Sequence, residues 1–118
     1  MIKFLTLYAR DIHKTAKVYE CLGVSFEEEQ HGDGPIHLAC ETNGQALEIY
    51  PGLETSSRSA LLGFEVTDLE QTKRNLENAG AMIIREIAFV ADARRLIASD
   101  PDGRELFVQE ATRMSPLR

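Results

Sequence analysis

The chain has 118 residues, 43% of them hydrophobic and 27% charged, with a net charge of −6. That length suffices for one domain with its own core, the acidic balance argues against a nucleic-acid partner, which needs a basic face, and no apolar run approaches the ~20 residues of a membrane span. Cys21 and Cys40 offer neither a disulfide framework nor metal-ligand spacing, and they read as reduced thiols of a cytoplasmic protein.

Residues 2–8 alternate and carry strand formers, and because Met1 leads directly into this strand no signal peptide is expected. Period two sends Leu5 and Leu7 to one face and Phe4, Thr6 and Tyr8 to the other. Asp11 is an N-cap for a helix whose apolar stripe is Ile12, Ala16, Tyr19 and Leu22, with Val18 beside it, and Gly23 closes that helix. Residues 24–30 read as a strand ending in Glu27-Glu28-Glu29, a solvated edge that discourages sheet-to-sheet association. His31-Gly32-Asp33-Gly34-Pro35 is a turn, residues 36–41 a strand, Asn43-Gly44 a hairpin turn and residues 46–50 a strand.

After a polar linker at 51–59, residues 61–66 form a strand with Leu62, Phe64 and Val66 on one face and Leu61, Gly63 and Glu65 on the other. Asp68 caps a second helix, striped by Leu69, Leu76 and Ala79 and closed by Gly80. Residues 81–90 and 93–99 are strands around an Ala91-Asp92 turn, and Asp100-Pro101-Asp102-Gly103 is a strong turn before a last strand at 105–109. Residues 111–118 are a tail.

The landmarks Asp11, Thr15 and Gly23 recur 57 positions later as Asp68, Thr72 and Gly80. Two copies are too few for a solenoid. The chain therefore reads as one α+β domain over 1–110 made of two βαβββ modules, 1–50 and 60–110. In each module a helix covers one sheet face and leaves the other open, and twist curls the paired sheets around a concave cavity.

Paired βαβββ modules of this length resemble the vicinal oxygen chelate superfamily of glyoxalases, bleomycin resistance proteins and extradiol dioxygenases. The resemblance spans roughly residues 2 to 110. It is carried by Tyr8-Ala9-Arg10-Asp11-Ile12 running into Tyr19-Glu20-Cys21-Leu22-Gly23, by Leu47-Glu48-Ile49-Tyr50, by Gly63-Phe64-Glu65-Val66-Thr67-Asp68-Leu69, and by Asp100-Pro101-Asp102-Gly103-Arg104. It implies four converging points that in the metal enzymes hold His or Gln and Glu around a Lewis-acid ion. Here they fall on Phe4, Glu48, Leu61 and Phe107, three of which have no lone pair to offer. The repeat offset maps Glu48 onto Glu105 instead, which has the same strand parity as Phe107.

The resemblance thus implies a ligand-binding set of Phe4, Tyr8, Glu48, Leu61, Glu105 and Phe107, with no metal, no cofactor and no catalytic residue assigned. Glu48 either contacts the ligand or pairs with a neighbour such as Tyr8, Arg94 or Arg95; Phe4, Leu61 and Phe107 either wall the cavity or fill it. His13 and His31 read as solvated surface residues. His37 either faces the cavity or sits partly buried on a structural partner. The function expected is metal-independent binding of a small, partly apolar molecule by a homodimer. The alternative is a metal-dependent lyase, isomerase or dioxygenase with ligands rearranged around Glu48.

Overall fold

Each module is laid down by the same local rules. In this computed structural model, which describes residues 4–52 and 61–111, the first module runs β1 (Phe4–Ala9), α1 (Ile12–Glu20), β2 (Glu27–Glu29), β3 (His37–Thr42) and β4 (Gln45–Pro51). The second runs β5 (Leu61–Val66), α2 (Leu69–Asn78), β6 (Met82–Val90), β7 (Ala93–Ser99) and β8 (Glu105–Glu110). Most of the expected linker and tail lies outside the described residues. Asp11 and Asp68 cap their helices, their carboxylates accepting 3.0 Å hydrogen bonds from the backbone N–H of Lys14 and Gln71. Gly23 and Gly80 follow the helices with φ of 94° and 99°, a left-handed turn that glycine enters without steric cost.

The strands form two four-stranded sheets, β1-β4-β3-β2 and β5-β8-β7-β6, with β1–β4 and β5–β8 parallel and the other pairs antiparallel. The helix face of the first sheet buries Leu7, Leu38 and Ile49, and that of the second Leu96, Leu106 and Val108. These residues belong to one hydrophobic cluster, which also takes in Ala16, Val18 and Tyr19 of α1 and Leu69 and Leu76 of α2. The edge strand β2 is shorter than the sequence predicts. Val24 and Phe26 turn their side chains to the core from an irregular segment, and only the three glutamates pair with β3.

The modules are joined by polar groups as well as by the shared core. The turn 100–103 inserts against α1 and the end of β1. Arg104 is 1% exposed; its guanidinium lies 2.7 Å from Asp100 and 3.7 Å from Asp102 and donates to the Tyr8 carbonyl. The Asp100 carboxylate also accepts the Tyr19 hydroxyl at 2.8 Å and the backbone N–H groups of Asp102 and Arg104. Asp102 in turn accepts the Thr15 hydroxyl at 2.8 Å and the backbone N–H of Arg10. Tyr19 adds an edge-on contact with Phe64 of β5, ring centroids 6.0 Å apart.

Removing the cation from this network leaves buried carboxylates without their charge partner, so Arg104→Ala should lose about 3–5 kcal/mol of stability in urea unfolding; a loss within the range of ordinary surface substitutions would contradict the arrangement. Burial first, and then the Asp100 carboxylate, push the Tyr19 hydroxyl well above its ordinary pKa of 10.0. The folded chain therefore holds that proton more tightly than the unfolded one. Its contribution is complete below pH 10.0 and drains as pH rises beyond it. Tyr19→Phe, which cannot ionise, should lose less stability than the wild type between about pH 9 and about pH 11. Parallel losses in thermal unfolding would show that Tyr19 is not the group responsible.

Candidate functional site

Because the helices cover one face of each sheet, the other face is left open. On the first sheet, parity places Phe4, Thr6 and Tyr8 of β1, Glu48 and Tyr50 of β4 and His37 of β3 on the open face. Thr6 and Glu48 are direct neighbours in the parallel ladder, and the Thr6 hydroxyl donates to the Glu48 carboxylate at 2.9 Å. Glu48 thus finds its protein partner in Thr6 rather than in Tyr8, Arg94 or Arg95, and is half-buried. Beside it, Tyr50 stacks on His37 with centroids 4.0 Å apart and tilts against Tyr8 at 6.4 Å. Burial, then the Glu48 and Glu29 carboxylates, raise the Tyr50 hydroxyl above its ordinary pKa, so it stays a neutral donor.

On the second sheet the open face carries Leu61, Gly63 and Glu65 of β5, Glu105, Phe107 and Gln109 of β8, and Arg95 of β7. The Arg95 guanidinium carbon sits 5.3 Å from the centre of the Phe107 ring, and its Nε donates to Gln109 at 2.8 Å. Arg94, one residue earlier, points to the other face and pairs with Glu70 and Glu110. The register also relates the two modules rung by rung. Thr6 faces Glu48 and Gly63 faces Phe107, while Phe4 faces Ala46 and Leu61 faces Glu105. Thr6 and Gly63 are repeat equivalents, so the counterpart of Glu48 is Phe107 and the counterpart of Glu105 is Ala46. The simple 57-residue offset fails there because the second module carries two extra residues between its helix and its last strand.

Phe4 and Leu61 are 62% and 60% exposed, so neither fills a cavity within the chain. Tyr8 and Glu105 are exposed and Phe107 is half-buried under Arg95. Of the two cysteines, Cys21 is held protonated by burial and by Glu20 and is a poor nucleophile. The grouping missed in the sequence lies at the outer edge of the first open face. His37, buried, comes together there with His31 and Glu29. Their Glu-x-His spacing and the Gly-rich turn after it were the available signal.

No family model matches this sequence, and neither does any curated protein. Solved structures do. A hypothetical protein from S. aureus, SA1046, superposes with a TM-score of 0.74 at 17% identity, over 94% of this chain and 93% of that one. A glyoxalase/bleomycin resistance protein/dioxygenase family enzyme from Burkholderia phytofirmans PsJN gives 0.74 at 18% identity, over 93% and 98%. A glyoxalase-related enzyme from Fulvimarina pelagi gives 0.72 at 20% identity, over 94% and 88%. At these identities the likeness is one of fold alone, the fold of structures described as glyoxalase/bleomycin resistance protein/dioxygenase family and glyoxalase-related enzymes.

Proposed function

We propose that this chain binds a small, partly apolar molecule on the open faces of its sheets, with no metal at the four points where the superfamily's metal enzymes place one. The observation that carries this reading is the pair of equivalent rungs: Thr6–Glu48 holds a half-buried carboxylate, while Gly63–Phe107 presents an aromatic ring. Phe4 and Leu61, equivalent to each other in the repeat, supply exposed apolar surface one rung earlier. A half-buried carboxylate near exposed apolar groups suits an amphipathic ligand that brings a cation or a hydrogen-bond donor. A metal-dependent reaction centred on Glu48 has less support, since its hydrogen-bond partner is a threonine hydroxyl rather than a histidine.

The same exposure supports a homodimer. Phe4, Leu61, Met82, Ile84 and Phe89 are large apolar side chains left in water by a single chain, and two-fold association is the commonest way to cover such surface. A second copy would set the open face of one module against that of another and close the cavity.

Light scattering should give the mass of two chains; a monomer at every concentration tested would refute the assembly. In a thermal-shift screen of amphipathic aromatic cations, a stabilising compound should bind more weakly to Glu48→Gln by about 1.5–3 kcal/mol, and Leu61→Trp should abolish its binding without unfolding the protein. A compound whose affinity neither change alters would place the binding site elsewhere.

A further inference from the structure

At the outer edge of the first sheet, away from the Thr6–Glu48 rung, three metal-ligating groups meet. β2 ends at Glu29, the chain turns through His31-Gly32-Asp33-Gly34, and β3 begins at His37, the ladder partner of Glu29. The turn is closed by two hydrogen bonds of 2.9 Å, from the Gly34 N–H to the His31 carbonyl and from the Gln30 side chain to the Gly34 carbonyl. Gly32 sits at φ 57°. This folds His31 back over His37, with ring centroids 5.1 Å apart.

The state of His37 makes the cluster more than a surface coincidence. The residue is 1% exposed. Its Nδ1 lies 3.2 Å from the Pro35 carbonyl, which can only accept, so Nδ1 carries the hydrogen. In the neutral ring Nε2 is then a lone pair. That atom is buried and makes no hydrogen bond, yet it points at an electron-rich neighbour, the Glu29 carboxylate oxygen 3.4 Å away. The same oxygen is 3.6 Å from Nε2 of His31. All three donor atoms lie within 4.8 Å of one another. A lone pair facing a carboxylate is unfavourable unless a proton or a metal ion lies between them, and the second imidazole, His31, turned toward the same carboxylate oxygen, favours the metal ion.

We infer that Glu29, His31 and His37 form a binding site for a divalent late transition-metal ion, zinc by its chemistry. Donors about 2.1 Å from a tetrahedral ion stand about 3.4 Å apart, which matches the two shorter separations. The exposed His31 side chain is free to close the third. Two imidazoles and one carboxylate favour zinc, cobalt or nickel over magnesium or calcium, which take oxygen ligands. His37 already has the outer support a metal histidine needs. The Pro35 carbonyl fixes its tautomer and the Tyr50 ring fixes its plane. Three protein ligands leave a fourth position open to solvent, the pattern of reactive rather than purely structural zinc sites. The site goes beyond the ligand-binding reading and does not depend on it, because none of its ligands is among the four converging points.

The test uses the full chain stripped with a chelator and then dialysed against zinc, with cobalt as a spectroscopic stand-in. A single zinc per chain should be retained, cobalt should give the visible absorption of a tetrahedral nitrogen–oxygen site, and zinc should raise the unfolding temperature. Glu29→Gln and His31→Ala, both at exposed positions that the fold does not need, should each weaken binding at least about tenfold. His13→Ala should leave it unchanged, because His13 pairs loosely with Glu28 on the helix side of the sheet. Failure of the wild type to retain zinc or cobalt, or retention that survives both Glu29→Gln and His31→Ala, overturns the assignment.

Discussion

The guanidinium of Arg104 is the group on which the arrangement of the two modules depends. It is buried where the β7–β8 turn of the second module meets β1 of the first, and a buried cation is tolerated only when its partners are in place. Asp100 and Asp102 supply the charge, and the Tyr8 carbonyl supplies a backbone anchor from the other module. Each of these acceptors is itself fixed: Asp100 by Tyr19 and by the turn's own N–H groups, Asp102 by Thr15. The hydrophobic core alone would allow the modules to slide, since apolar contact carries little direction. The charged network specifies one position.

With the helix faces and the turn committed to this junction, the open sheet faces are released for other work. They expose large apolar side chains at Phe4 and Leu61, and several of their polar groups are held in place. Thr6 fixes Glu48, Gln109 fixes Arg95, and His37 and Tyr50 fix each other by stacking. A face with rigid polar groups set among exposed apolar ones is what selective binding of a small molecule requires, because little side-chain entropy is lost on association.

Local signals in the sequence carried most of the fold. Asp11 and Asp68 as caps, Gly23 and Gly80 as stops, and the alternation in residues 4–9 and 61–66 each rest on short-range sterics or period two, and each appears where it was expected. The site was legible in parity but not in register. Glu105 and Phe107 face the same way, and only the ladder pairing of Gly63 with Phe107 separates them. Partners distant in sequence were not legible at all. Nothing near Asp102 points to Thr15, and nothing near Arg104 points to Tyr8, because those contacts arise from tertiary docking. The Glu29–His31–His37 cluster was hidden for a third reason: Glu27-Glu28-Glu29 reads as a charge run, and its three members turn out to serve opposite faces of the sheet.

The claim that a buried charge network makes one cooperative unit of two repeats is tested most directly by native-state hydrogen exchange, followed residue by residue. Amides of Leu7 and Ile49 in the first sheet and of Leu106 and Val108 in the second should exchange with a common free energy of opening, and Arg104→Met should lower all four together. If the substitution lowers only the Leu106 and Val108 amides and leaves Leu7 and Ile49 at their original protection, the modules are independent and the network does not hold them.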